Sequence, residues 1–213
     1  MNQQVFPAII AKNQKELNVS LKRLEKISKK VHLDVVDNKF APSSSLQFNF
    51  KLKRGFQYNA HLMINHPIPW IKKHGKKMNL CIPHFHALKN PKRYIALTKK
   101  LKIPIAFALL PETKVKEVLP YIKDIDSVLL LTVHPGFYGS KFLSSPLKKI
   151  ALLKRENHLL QVIVDGHMDN KTIKQAVNAG ADYFVSGSYI MRSKNPRKAM
   201  QELRKALKIG KRK

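Results

Sequence analysis

The sequence predicts an α/β fold in the form of a single (β/α)8 TIM barrel. Three observations carry this. Eight short apolar runs have strand character, helix-type periodicity lies between most of them, and 213 residues suit one barrel of about 200–250 residues. Alternating strand and helix segments imply parallel strands joined by crossover helices, and eight such units imply closure. An open doubly wound sheet is the alternative, weakened because no glycine fingerprint for a dinucleotide follows the first strand.

The elements follow in order. Residues 4–11 read as a buried strand. Asn13 with Glu16 three residues on is a helix start, and Leu17, Leu21, Leu24 and Ile27 form the stripe of that helix. Strands are expected at 31–36, 58–64, 79–82, 104–110, 128–133, 160–164 and 183–186. One helix covers 172–179 and is closed by Gly180; another opens at Asn195-Pro196 and carries Met200, Leu203 and Leu207 on one face. The irregular place is 41–59, between the second and third strands. Three serines and then Phe48, Phe50 and Leu52 in alternation suit a loop with a short extended piece better than a crossover helix. No repeat or linker divides the chain, so one domain is expected over 1–208, with a basic tail at 209–213.

Composition sets further bounds. Hydrophobic residues make up 44%, enough for a core. A single cysteine, Cys81, excludes a disulfide framework and a cysteine-based zinc cluster. The longest apolar runs, such as 128–133, are too short for a bilayer, and the N-terminus lacks the order of a secretory signal. A soluble cytoplasmic protein without membrane contact is expected. The net charge is +28, from 33 Lys and 8 Arg against 13 acidic residues. Arg is the residue of bidentate phosphate and base recognition, whereas Lys acts as a point charge. This balance fits a solvated surface with weak, salt-sensitive contact to nucleic acid or another polyanion, or steering of an anionic substrate.

Chemistry concentrates at strand ends. His32 and Asp34 share one face of a strand, because side chains alternate with a period of two. A polar group inside an apolar strand costs roughly 2–7 kcal/mol unless it has a partner. A metal ion would be one such partner, and a structural His–Asp hydrogen bond another. His61 ends a second strand and Asp165 a third. In a closed barrel these four converge on one mouth as a sulfur-free His2Asp2 site suited to Zn2+, Fe2+, Mn2+ or Co2+. Three successive strand-to-helix loops carry glycine, at Gly136 and Gly139, at Gly166, and at Gly187. Such loops can turn backbone N–H groups onto an anion, although each glycine alone is an ordinary turn residue.

These segments together resemble the ribulose-phosphate 3-epimerases. The resemblance runs from Phe6-Pro7-Ala8-Ile9-Ile10 to the last helix. It rests on His32-Leu33-Asp34-Val35-Val36-Asp37, His61-Leu62-Met63, Leu130-Leu131-Thr132-Val133-His134-Pro135-Gly136-Phe137, Ile163-Val164-Asp165-Gly166, and Ala179-Gly180-Ala181-Asp182 through Ser186-Gly187-Ser188. It implies a ribulose-phosphate-binding barrel, with one divalent metal on His32, Asp34, His61 and Asp165. Asp34 and Asp165 would be the acid/base pair of a C3 epimerisation, D-ribulose 5-phosphate to D-xylulose 5-phosphate or a close analogue, through an enediolate. Contacts to the phosphorylated ketose would come from Met63, Gly136, Phe137, Tyr138, Gly139, Gly166, His167, Gly187 and Ser188. The chain departs from the family pattern in several places. Ala11 replaces a serine, and Asp37-Asn38-Lys39-Phe40 stands for Asp-Gly-His-Phe. Val36 and Leu131 replace methionines, and His134 an asparagine. Tyr138 and His167 replace glycines, His84-Phe85-His86 stands for His-x-Glu, and the segment from Asp37 to His61 is short. A barrel that has lost activity and binds a polyanion or another partner is the competing reading. The sequence leaves the oligomeric state open.

Overall fold

Short β-rich runs of Val, Ile, Leu and Ala become strands that are buried on both sides, as parallel sheets require. The computed structural model describes residues 3–135 and 140–210; the sites expected at Gly136, Phe137, Tyr138 and Gly139 lie outside these. The strands are β1 (Gln4–Ile9), β2 (Lys30–Asp37), β3 (Ser44–Ser45), β4 (Gln57–Met63), β5 (Leu80–Pro83), β6 (Ala106–Leu109), β7 (Ser127–Leu131), β8 (Gln161–Asp165) and β9 (Tyr183–Ser186). All but β3 are parallel, in the order β5-β4-β2-β1-β9-β8-β7-β6. The bridges Cys81–Ile105 and His84–Ala108 join the two ends. The result is the expected eight-stranded barrel.

Period-two alternation divides the core into two layers. Leu129 and Leu131 belong to the cluster inside the barrel, with Ala8, Ile82, Ala106, Ala108, Ile163 and Val185. Val128 and Leu130, between and beside them, face the helices instead. The helices are α1 (Gln14–Leu24), α2 (Pro67–His74), α3 (Pro91–Leu101), α4 (Val115–Val118), α5 (Lys149–Glu156), α6 (Thr172–Asn178), α7 (Ser188–Met191) and α8 (Pro196–Gly210). Asn13 caps α1 by accepting the Glu16 N–H, and the Glu16 carboxylate reaches back to the Lys12 N–H.

Most of the expected boundaries shift by a residue or two. The first strand stops at Ile9, not at residue 11. Helix α1 stops at Leu24, so Ile27 sits in the turn beyond it, its N–H donating to the Leu24 carbonyl. Helix α8 runs through Ile209 and Gly210, so those two residues of the expected tail extend the helix, and 211–213 lie outside the described residues. Between β2 and β4 no helix forms. There β3 pairs antiparallel with the end of β2, Ser45 opposite Val36 and Ser44 opposite Asp37. The following segment is held by its side chains. Phe50 is buried and stacks on His74, ring centroids 4.8 Å apart. The Gln14 side chain accepts the Lys51 N–H and donates to the Lys51 carbonyl, at 2.8 and 3.0 Å. An alternating pattern cannot supply a helical stripe, but it can put alternate aromatics into the layer a helix would have filled.

Candidate metal centre

The register of β2 on β4 places Asp34 directly opposite His61, and His32 lies two residues before Asp34 on the same inward face. Asp165 comes from β8, on the far side of β1 and β9. The barrel curvature brings all four together, with one ligand atom from each lying within 4.8 Å of the others. His32 Nε2 is 3.5 Å from Asp34 Oδ1 and 3.8 Å from Asp165 Oδ2. His61 Nδ1 is 3.6 Å from Asp34 Oδ1 and 3.3 Å from Asp165 Oδ2. Both imidazoles are fully buried, whereas the carboxylates keep a narrow opening to solvent, with side chains 14% and 15% exposed.

The donor set fits a divalent ion. Both ring nitrogens of His32, Asp34 Oδ1 and His61 Nδ1 are buried with no hydrogen-bond partner. A structural His32–Asp34 hydrogen bond is therefore not what holds these residues. Each unmet buried polar group costs about 1–3 kcal/mol, so the three that face one another, His32 Nε2, Asp34 Oδ1 and His61 Nδ1, call for a common partner that accepts lone pairs. A cation among two imidazole nitrogens and two carboxylate oxygens is such a partner.

The same crowding sets the proton affinities. Burial disfavours charge on His61, but the two carboxylates beside it, Asp165 and Asp34, outweigh burial and raise the pKa to about 9. For His32 burial wins, and the pKa is lowered despite the same two carboxylates. The far side of His61 is occupied too. Its Nε2 lies 2.9 Å from Nε2 of His84, a fully buried residue just beyond β5.

Asp34 and Asp165 form the floor of a cavity of about 560 Å3. Met63, His167, Gly187 and Ser188 line it, and so do Lys12 and Arg192, which no motif singled out. Gly166 is not among the lining residues. A Cβ there would lie 2.8 Å from Val133 Cγ2, and its φ is +118°, so the glycine is needed for close packing of the β7 and β8 loops. Its carbonyl accepts the Thr132 hydroxyl at 2.8 Å. His167 follows in the left-handed region, φ +51°. Ala11 is fully buried, and its N–H donates to the hydroxyl of Ser45 at 3.1 Å. Among the described residues no helix is long and apolar enough to cross a membrane.

The comparisons with known proteins agree with this architecture. The chain is similar to solved barrels, including KGPDC from Streptococcus mutans, at a TM-score of 0.68 and 13% identity over 98% of this chain and 98% of that one. A 3-hexulose-6-phosphate synthase from Salmonella typhimurium gives 0.66 at 12% over 99% and 100%. At such identities the likeness concerns the fold. Sequence relatives are more informative. The chain is 30% identical to the ribulose-phosphate 3-epimerase of Bacillus subtilis, over 94% of this chain and 98% of that protein. It is 27% identical to the Schizosaccharomyces pombe enzyme, over 96% and 93%. The pattern of the ribulose-phosphate 3-epimerase family matches residues 4–191, from the first strand through α7. With full-length relatives and the family pattern on nearly every barrel unit, this isomerase belongs to the ribulose-phosphate 3-epimerase family.

Proposed function

We propose that the chain catalyses C3 epimerisation of a phosphorylated ketose in the cytoplasm, converting D-ribulose 5-phosphate to D-xylulose 5-phosphate or acting on a close analogue. The observation that carries this is the buried cluster of His32, Asp34, His61 and Asp165, whose unmatched polar atoms suit one divalent ion at the floor of an open cavity. These four residues would hold the ion, which would supply positive charge to the ketone oxygen as negative charge develops there.

Inversion next to a ketone requires a proton to leave one face of the carbon and another to arrive on the opposite face. One group cannot reach both faces of a held substrate. Asp34 and Asp165 reach the cavity from strands separated by β1 and β9, so a sugar lying between them would meet one carboxylate on each side. One carboxylate removes the C3 proton to give the enediolate, and the other acid returns a proton to C3. The barrel floor, closed by buried His32, His61 and the inner apolar layer, excludes water from this exchange. The phosphate would lie toward Gly187, Ser188 and His167.

The test is a coupled assay on ribulose 5-phosphate after loading with Fe2+, Mn2+, Zn2+ or Co2+, with Asp34→Asn and Asp165→Asn beside the wild type. General acid–base groups are worth about 10²–10⁴-fold, so each variant is expected to lose at least about 10²-fold in turnover. A single variant that still exchanges the C3 proton with deuterated solvent would show one face working alone. Two Asn variants that keep metal and near-full turnover would overturn the two-base assignment.

A further inference from the structure

We propose that His84 is a positioning residue for the metal centre, a buried acceptor that keeps the His61 proton on Nε2 and so leaves His61 Nδ1 free to bind the ion. The proposal rests on the metal reading of the cluster and not on the identity of the sugar. The two rings of His61 and His84 meet with centroids 4.9 Å apart and Nε2 to Nε2 at 2.9 Å. His61 Nδ1 faces the two carboxylates, as given above, so its two nitrogens have separate tasks. A neutral imidazole carries one N–H. If Nδ1 is to offer a lone pair to an ion, the proton must be on Nε2, and a buried N–H there needs an acceptor. Among the described residues the only hydrogen-bond partner of His61 Nε2 is His84 Nε2. His84 therefore presents a bare Nε2 and keeps its own proton on Nδ1. The reverse arrangement, with His84 donating, would put a proton on His61 Nδ1, where the ion has to sit.

The surroundings hold His84 in this pose. Its ring packs on Phe40 at 4.4 Å between centroids. Phe40 is fixed through its N–H, which donates to Asp37 Oδ1 at 2.8 Å, while the other oxygen of Asp37 accepts the Asn65 N–H at 2.8 Å. Asp37 thus ties the ends of β2 and β4 together beside the residue that aligns the β4 ligand. His84 Nδ1 is buried without a hydrogen-bond partner. That is an expense for a purely structural residue, which an apolar side chain of the same size would avoid. It is explained if the ring is kept for its other nitrogen.

The experiment compares His84→Gln, whose side-chain amide can place an acceptor near the same point, with His84→Leu, which cannot. Zn2+ affinity is measured by competition with a chromogenic chelator, without any sugar. Loss of a hydrogen-bonding partner behind a metal ligand typically costs 10–100-fold in affinity. The expected result is a loss of that size in His84→Leu and a loss of only a few fold in His84→Gln, at similar melting temperatures. Nitrogen-15 NMR of the Zn2+-loaded wild type gives a second readout that does not depend on the variants folding. It should show a proton on His61 Nε2 and nitrogen–nitrogen coupling across the hydrogen bond to His84. A folded His84→Leu that binds Zn2+ as tightly as the wild type, or a bare His61 Nε2 in the loaded wild type, overturns the role alone. Equal losses in Gln and Leu would also overturn it, because ring volume and not the acceptor would then matter. A wild type that takes up no ion overturns the metal reading itself.

Discussion

His61 holds its proton more tightly than a free imidazole, so metal uptake has to displace that proton. With the pKa raised from 6.5 to about 9 in the metal-free fold, the sign is fixed. Below about pH 6.5 the ring is protonated folded or unfolded, and the favourable contact with Asp34 and Asp165 contributes fully to stability. That contribution fades as pH rises through 9. The metal-free protein is expected to lose stability between these values, as followed by thermal melts, while the loaded protein is spared. Affinity for Zn2+ should rise about tenfold per pH unit up to about 9 and then level, because one proton is released. A flat affinity profile from pH 6.5 to 9 would remove His61 from the ligand set. The ligands are legible in the sequence because a His or Asp within an apolar strand has few other uses. His84 is visible only as part of His84-Phe85-His86, the counterpart of the family's His-x-Glu, because nothing in the spacing shows that its ring reaches His61. At His167 the backbone carries left-handed strain that glycine would relieve, and an L-residue in that region costs about 1–2 kcal/mol. Exchange to glycine is therefore expected to leave stability unchanged or raise it by up to about 1 kcal/mol, partly offset by a freer unfolded chain. The KM for a sugar phosphate should rise. An unchanged KM would show that the side chain makes no contact that matters.

Among the elements, the segment after β3 shows most plainly what pattern reading misses. Hydrophobic periodicity locates the eight barrel strands because each must bury both faces, and it locates α1 and α8 from their stripes and caps. It does not locate β3, whose two serines pair with the β2 end because β1 stops at Ile9 and Ser45 can reach the Ala11 N–H. Strand ends are blurred for a similar reason: residues 10 and 11 continue the apolar pattern after the pairing has stopped. In place of a crossover helix, Phe48, Phe50, Trp70 and His74 form a packed aromatic group against α2. Truncating Phe50 to Ala, at 3% exposure, should cost about 3–5 kcal/mol in urea-unfolding free energy. Its effect on metal affinity should be small, because the segment braces the barrel from outside. A cost under about 1 kcal/mol would mean that the Gln14 clamp on Lys51 alone keeps the segment in place.

Over the whole molecule, the charge is less evenly placed than a dispersed lysine count suggests. Residues 38–111 hold 14 Lys and Arg and no Asp or Glu, so an amount equal to half of the net charge falls on the β2–β4 connection and the β4–α2 and β5–α3 units after it. Among the described residues only Lys53 and Lys99 of these 14 find a carboxylate, Glu25 and Asp124. On and just after α2, exposed Lys72, Lys73, Lys76 and Lys77 stand four apart in pairs, a spacing at which like charges repel by a few tenths of a kcal/mol each. Such a sector attracts any polyanion at low ionic strength, and its long-range field also favours arrival of a sugar phosphate at the cavity. Reading bases is another matter. Lys supplies point charges, and only Arg54 and Arg93 in this stretch have the fork that pairs with a guanine edge. Binding to nucleic acid is therefore expected to be independent of sequence and to be driven by counterion release. Measured by fluorescence anisotropy on unrelated oligonucleotides, it should weaken steeply between about 0.05 and 0.2 M salt and vanish by about 0.5 M, where the Debye length is only a few Å. Replacing Lys72, Lys73, Lys76 and Lys77 together by Gln should lower the salt slope without altering Zn2+ affinity, because those side chains lie on the outer helix layer and not at the barrel mouth. A complex that prefers one sequence and persists at about 0.5 M salt would require contacts to base edges that this lysine surface does not offer.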